Sequence, residues 1–354
     1  MTQKPTVLII GTGLIGTSIA IGLKNAGYTV FLNDADEHAL AVATAKSGAQ
    51  PFLDQTCDLV VVATPPRAVA GVMRAALADH QTAAVTDVSS VKATILNSLS
   101  DLGVSELARV VGGHPMAGRE ISGAAGAQGN LFVDRPWVLT RTTATSDDAF
   151  AQVEEMVNAL GAVVIERSMD DHDQAVALIS HTPQVVASVL AGELMGAEER
   201  HIELAGQGIR DTIRIASSDA GLWSEILAGN SANVAERVRN VAKRLGEMAE
   251  AIASNDHAHI VSILEQGSAG RDRLPGKHGA NRASDALVLV RLDDKPGELA
   301  RLFAVAAQAE VNLEDVRIDH SLGRMTGLVE LTVALAAQVT LETALTSAGF
   351  VVIL

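Results

Sequence analysis

Val7-Leu8-Ile9-Ile10-Gly11-Thr12-Gly13-Leu14-Ile15-Gly16, close to the start of the chain, decides how the rest is read. A β-branched run passes straight into a glycine-spaced turn, and helix-forming residues follow over 17–26. Gly11 permits the tight turn, Gly13 lets a pyrophosphate approach the backbone, and Gly16 lets helix and strand pack closely. The helix start then offers free amides to phosphates. Asp34 closes the next apolar run, where a carboxylate accepts hydrogen bonds from ribose hydroxyls and repels a 2′-phosphate. The pattern predicts a dinucleotide site built from Gly11, Thr12, Gly13, Leu14, Ile15, Gly16 and Asp34, with NAD favoured over NADP. The plain alternative makes Asp34 a turn residue beside Asp36. Thr64 and Pro65 lie just past the run 59–63, at the sheet edge where such folds bind ligands, and read equally as cofactor contacts or as a turn.

Outward from this corner, short β-branched runs alternate with alanine-rich helical stretches. Strands are predicted at Thr6–Ile10, Thr29–Asn33, 59–63, Ala84–Asp87, 109–112, 136–140 and 162–166. Continuous apolar runs suit strands covered on both faces. The alternation predicts an α/β Rossmann-like doubly wound domain over 1–167. Over 168–267 the β signal vanishes, and helices are predicted at 170–196, 198–206, 210–217, 220–227, 231–254 and on to about 266. Pro183 should kink or restart the first of them, and Asn230-Ser231 should cap the long fifth one. This all-α domain is expected to supply substrate contacts and a dimer interface.

Residues 268–284 read as a linker, rich in glycine and carrying Arg271, Arg273, Lys277 and Arg282. It is either a solvated connection or a set of cations reaching a nearby acidic ligand. The remainder, 285–354, predicts strand 286–292, helix Glu298–Gln308, strands 311–320 and Thr326–Ala334, helix 341–348 and strand 350–354. That βαββαβ order is a split-βαβ, ferredoxin-like pattern.

Composition narrows the function. With 354 residues, 48% hydrophobic and 19% charged, the chain is globular and long enough for two or three domains. Its net charge of −15 argues against nucleic acid or an anionic membrane as partner. The single cysteine, Cys57, excludes an internal disulfide and a multi-cysteine metal site, and fits a reducing compartment. No metal is expected. No signal peptide is read, and no stretch is expected to approach the length of a bilayer span. A soluble cytoplasmic protein follows.

Two more predicted strand ends carry polar residues to the same sheet edge: Thr86-Asp87-Val88-Ser89-Ser90-Val91-Lys92 and Gly112-Gly113-His114-Pro115-Met116-Ala117-Gly118-Arg119-Glu120. A histidine set between glycines and a proline is expected to be held in place and partly exposed. A pKa near neutrality would suit proton transfer. The alternative is a satisfied structural histidine. In the helical region, Ser180-His181-Thr182-Pro183-Gln184 and Gly206-Gln207-Gly208-Ile209-Arg210-Asp211-Thr212-Ile213-Arg214 stand out. Arg210 and Arg214 are four apart and would share a helix face, holding a dicarboxylate or simply pairing with Asp211 or Glu225 at the surface.

Taken together, the glycine turn, DVSSVK, GGHPMAG, SHTPQ, the GQGIRDTIR segment and the LPGKHG linker resemble the prephenate dehydrogenase family over the whole chain. The C-terminal unit is similar to an ACT domain. The resemblance implies NAD-dependent oxidative decarboxylation of prephenate or arogenate, with a homodimer expected. It implies that His114 draws the proton from the ring hydroxyl as hydride leaves, and that Ser90 orients that histidine or the hydroxyl. It further implies that Arg214 holds a substrate carboxylate while Arg210, His181 and Glu120 line or gate the pocket. The family often has a second histidine where this chain has Gln184. A neutral amide gives no counter-charge to the amino group of arogenate, so prephenate is favoured. Asp294, Gly297, Glu298 and Asn312 are the implied contacts for an amino-acid effector such as tyrosine. The competing readings are arogenate dehydrogenase, a β-hydroxyacid dehydrogenase, for which Lys243 would have to be catalytic, and a non-catalytic nucleotide and amino-acid sensor.

Overall fold

The computed structural model describes residues 4–118, 123–274, 285–320 and 326–353. The chain divides into two compact units, Met1–Lys243 and Arg244–Leu354.

In the first unit, eight strands form one sheet: β1 (Thr6–Ile10), β2 (Thr29–Asn33), β3 (Gln50–Pro51), β4 (Leu59–Val62), β5 (Ala84–Asp87), β6 (Val110–Pro115), β7 (Pro136–Arg141) and β8 (Val163–Glu166). Their order is β3-β2-β1-β4-β5-β6-β7-β8. The chain steps outward from β1 in one direction, then resumes at β4 in the other. The switch point therefore lies between β1 and β4, where doubly wound sheets open their ligand crevice. Alternate residues of β1 go to opposite faces, Val7 and Ile9 into one core and Leu8 into the other. That two-sided burial is why the sequence shows unbroken apolar runs here.

Not every expectation holds. Strand β6 does not stop at 112. It runs on through Gly113, His114 and Pro115, because β7 pairs antiparallel with it, His114 opposite Val138 and Gly113 opposite Leu139. The sheet is thus mixed: β7 is antiparallel to β6, and β8 is parallel to β7. Apolar runs report double coverage but carry no record of direction. The connection between β6 and β7 includes a 3₁₀ turn at Ala124–Gly126.

The predicted first long helix is one continuous rod in three regimes. An α-helix, Met169–Val176, passes into a π-helical turn, Ala177–His181, and α-helix resumes at Thr182–Glu193 before a 3₁₀ end at Leu194–Gly196. Pro183 sits in the first turn of the resumed helix, where a missing amide costs nothing. The π turn ahead of it absorbs the mismatch, with the Thr182 amide donating back to Ala177. Contrary to expectation, this 28-residue rod is long enough to cross a bilayer and holds an 18-residue stretch apolar enough by composition, with mean hydropathy 1.4. It is instead bound into the α/β unit, where Asp173 accepts from the Lys92 and Ala93 amides.

The second unit continues the long helix Ser231–Ala253 from Arg244 and adds helix His257–Asp272. That helix extends into the expected linker and takes in Arg271; Lys277 and Arg282 lie outside the described residues. Strands β9 (Asp285–Asp293), β10 (Asp315–His320), β11 (Thr326–Ala334) and β12 (Val351–Ile353) form a second sheet, ordered β10-β11-β9-β12 and antiparallel throughout. Val288, Val290 and Leu292 share a buried face with Val329, Leu331 and Val333. Helices Glu298–Gln308 and Gln338–Ser347 cover it through Leu302, Ala306, Leu341 and Leu345.

Candidate active site

The glycine turn sits at the switch point. Gly11 has φ +101°, and a Cβ there would lie 2.5 Å from the Ala63 carbonyl oxygen. Only glycine fits between β1 and β4. A Cβ on Gly16 would lie 2.0 Å from the Gly11 carbonyl oxygen, so the helix Leu14–Asn25 can rest on the turn only at that residue. Among the described residues nothing lies within 4 Å of a Cβ on Gly13. Its freedom is left for a ligand approaching the helix start, as a pyrophosphate would.

The Asp34 carboxylate is already oriented. Oδ2 accepts from the Thr12 amide at 2.6 Å and the Thr12 hydroxyl at 2.8 Å, and Oδ1 from the Asp36 amide at 2.9 Å. Partial burial opposes ionisation, but these donors outweigh it and hold the carboxyl below its ordinary range. Across the crevice, the Thr64 hydroxyl is buried and has no partner among the described residues, and Pro65 precedes the helix Pro66–Asp79. A bare glycine cradle, a fixed carboxylate and an orphaned hydroxyl fit a dinucleotide.

At the ends of β5 and β6 a second cluster forms. Asp87 and Lys92 make an ion pair with both side chains wholly buried. Asp87 also accepts from the Ser89 amide at 2.9 Å and the Gly113 amide at 3.0 Å. It therefore clamps β6 one residue before His114. A Cβ on Gly113 would lie 2.4 Å from the Asp87 carbonyl oxygen, which explains the glycine before the histidine.

His114 is 8% exposed, so the expected partial exposure is wrong. Its Nδ1 lies 2.8 Å from His172 Nε2, and His172 Nδ1 lies 2.7 Å from Asp173 Oδ1. Asp173 in turn accepts from the amides of Lys92 at 2.8 Å and Ala93 at 2.9 Å. Burial works against the Asp173 carboxylate, but His172 and the two amides prevail and keep it ionised below the usual range. The His114 pKa is not near neutrality. Burial first, then His172, Lys92 and His181, push it well below the ordinary value. The ring is neutral at physiological pH, the state a proton acceptor needs. The Ser90 hydroxyl makes no hydrogen bond to His114 among the described residues; the ring's partner is His172.

The helical side approaches through Asn230. Its amide donates to the Asp173 carbonyl at 2.7 Å and lies 3.3 Å from His181 Nδ1. Asn230 stands just before helix Ser231–Ala253, as expected, with its amide turned inward. His181 is 1% exposed and meets the Trp223 ring edge-on at 6.0 Å. Burial, with His172 adding and Asp173 opposing, pushes its pKa down to about 4. One turn on, Gln184 donates to the Ile215 carbonyl at 3.0 Å and accepts from the Ser218 hydroxyl at 3.5 Å. This ties the 3₁₀ turn Arg214–Ser217 against helix Thr182–Glu193.

Arg210 and Arg214 do not share one α-helix as expected. The helix Gln207–Ile213 tightens to 3₁₀ at Arg214, changing the angular step between them. Both are exposed. Glu225 pairs with Arg67, and Asp211 accepts from Gln207. Hydrogen bonds run from His114 through His172, Asp173 and Asn230 to His181, and Gln184, one turn on, holds the Arg214–Ser217 turn. Glu120 lies outside the described residues.

Sequence reasoning gave no site role to His172, Asp173, Trp223 or Lys92, and read Asn230 only as a helix cap. The available signal was Asp171-His172-Asp173, a histidine between carboxylates at the head of the helix that begins two sheet strands after His114.

In the C-terminal unit, a cavity of about 70 Å³ is lined by Leu292, Asp293, Asp294, Lys295 and residues facing them. Of the four expected effector contacts only Asp294 lines it. Gly297, at φ +93°, starts the helix; Glu298 pairs with Arg301, and Asn312 donates to Glu314.

A glycine-cradled dinucleotide corner with a neutral, buried imidazole in the same unit defines an NAD-dependent oxidoreductase, and comparison with known proteins agrees. The family model "Prephenate dehydrogenase, nucleotide-binding domain" matches residues 19–166, and "Prephenate dehydrogenase, dimerization domain" matches residues 168–266. The "probable prephenate dehydrogenase NovF" of Streptomyces niveus is 34% identical over 331 residues, 89% of this chain and 90% of that one. The chain belongs to the prephenate dehydrogenase family. Among solved structures, the Aquifex aeolicus prephenate dehydrogenase in complex with hydroxyphenyl propionate and NAD+ is 27% identical with TM-score 0.69, covering 77% of this chain and 98% of that one. The Synechocystis arogenate dehydrogenase is 28% identical with TM-score 0.65, covering 76% and 99%.

Proposed function

We propose that this protein oxidises prephenate, releasing carbon dioxide and 4-hydroxyphenylpyruvate for tyrosine synthesis, in preference to arogenate. The observation that carries this is Gln184. It is 5% exposed and both ends of its amide are engaged, by Ile215 and Ser218, so it offers no charge to an ammonium group. NAD, when bound at Gly11–Gly16 with Asp34, Thr64 and Pro65 beside it, supplies the hydride acceptor. The chain's own part is to place the substrate and take a proton. His114, neutral because it is buried, accepts the proton of the ring hydroxyl. This raises electron density at the carbon that gives up hydride, and loss of the ring carboxylate then leaves an aromatic product. Ser90 bonds the same hydroxyl, Arg214 holds a substrate carboxylate, and Arg210, His181 and Glu120 border the pocket.

NADH absorbance with prephenate, arogenate and 3-hydroxy acids tests the reading. Turnover with prephenate is expected, and turnover with arogenate alone would overturn the preference.

The domains on this reading are 1–167 for NAD, 168–267 for substrate and dimerisation, a linker within 268–284 that helix His257–Asp272 shortens, and an ACT-like ferredoxin fold over 285–354. The protein is a cytoplasmic homodimer, in keeping with its acidic charge and single buried cysteine. Tyrosine binds the C-terminal unit near Asp294, Gly297, Glu298 and Asn312 and lowers activity. The cavity of about 70 Å³ there is far below the roughly 300–1,000 Å³ of small-molecule pockets. The ligand must therefore open it or be completed by a second copy. Calorimetry should show heat with tyrosine; none with any aromatic amino acid would leave the unit a dimerisation element.

A further inference from the structure

We propose that His172 and Asp173 are positioning residues that fix the tautomer of His114, leaving its Nε2 lone pair as the free proton acceptor. The inference rests on the reading of His114 as the base and explains how that base is kept ready.

Donors and acceptors alternate from Asp173 through His172 to His114. Asp173 accepts from the amides of Lys92 and Ala93, so its carboxylate is anchored and can only accept. His172 Nδ1, 2.7 Å away, must donate to it. A neutral His172 then has a bare Nε2. That lone pair faces His114 Nδ1 at 2.8 Å, and only a hydrogen on Nδ1 of His114 satisfies the contact. Neutral imidazole carries one hydrogen, so Nε2 of His114 is left bare. The opposite tautomer would set two lone pairs against each other in a buried site, an arrangement the low local dielectric makes costly.

The same chain helps once the proton arrives. The groups facing His114 are His172 from helix Met169–Val176, Lys92 from the loop after β5, and His181 from the π turn. Lys92 opposes a positive ring, and its charge is met by Asp87. Asp173, acting through the His172 dipole, is the negative group aligned with the His114 Nδ1–H. It holds orientation and tautomer and supports the imidazolium without taking the proton.

Two substitutions separate this from a merely structural role. In His172→Gln the side-chain oxygen can still accept from His114 Nδ1–H while the amide donates to Asp173; in His172→Phe neither bond survives. With the full-length enzyme, NAD and prephenate, His172→Phe should lower kcat by roughly 10²–10⁴-fold with KM within about twofold. His172→Gln should stay within about tenfold of the parent, with both variants melting near the parent temperature. Nitrogen NMR of labelled histidines in the parent protein should show His114 with hydrogen on Nδ1 and a bare Nε2, whatever the substrate proves to be. A His114 ring protonated on Nε2, an imidazolium at His172, or a folded Gln variant as slow as the Phe variant overturns the proposal. A parent enzyme that makes no NADH from prephenate or arogenate instead sinks the functional reading, and the NMR result still decides the tautomer.

Discussion

At the scale of single residues, the site depends on groups whose charge state burial has chosen. His114→Asn removes the acceptor and leaves a polar side chain of similar reach. It should cut kcat by roughly 10²–10⁴-fold while KM for prephenate moves little. Full activity in that variant would assign the proton to another group. Arg214→Ala should act in the opposite sense, raising KM at least tenfold with a smaller change in kcat, because a carboxylate clamp binds ground and transition states alike. Steady-state kinetics on the two variants separates the roles. His114 could be picked out from its glycine and proline neighbours, but its protonation could not. Exposure and pKa depend on Lys92, His172 and His181, which reach the ring from three other segments. His172 was hidden for the same reason, since a histidine flanked by Asp171 and Asp173 looks like a solvated helix start until the fold turns it inward.

At the scale of elements, the loop from β5 to the short helix Ala93–Asn97 carries most of the burden. Lys92 pairs with Asp87 inside the protein and its backbone amide anchors Asp173, so one residue joins the sheet edge to the helical side. Lys92→Met keeps the volume but leaves Asp87 buried without its counter-ion. Urea unfolding should show a loss of about 3–5 kcal/mol, the usual cost of removing one member of a buried pair. A loss below about 1 kcal/mol would mean that the Gly113 and Ser89 amides suffice to hold the carboxylate. Elements of this kind were readable in outline. β1, β2 and β5 fall on the residues their apolar runs marked, and Pro183 does restart its helix. The reversal of β7, the extension of β6 through His114 and the π turn before Thr182 were not readable, because each is settled by a partner strand or helix and not by local propensity.

At the scale of the whole molecule, the buried titratable groups set how stability depends on pH. His114 and His181 are neutral in the folded state, with values pushed well below 6.5 for the first and to about 4 for the second. An unfolded histidine takes up a proton near 6.5, so below that pH the unfolded chain binds more protons than the folded one. Stability is therefore complete above about 6.5 and falls as pH drops, each such histidine contributing up to about 1.4 kcal/mol per pH unit. For His181 the decline ends near its folded value of about 4. Asp34 and Asp173 run the other way in origin: their depressed values stabilise the fold above the unfolded carboxyl range, and that share is lost only as pH falls through the folded values. Between pH 7.5 and 5.5 the two histidines thus contribute in the same direction. Unfolding free energies measured across that interval should fall with acid, and His181→Gln should make the decline shallower. A parent curve that stays flat to pH 5.5 would show that these rings are protonated in the folded protein, and the neutral acceptor at His114 would go with it.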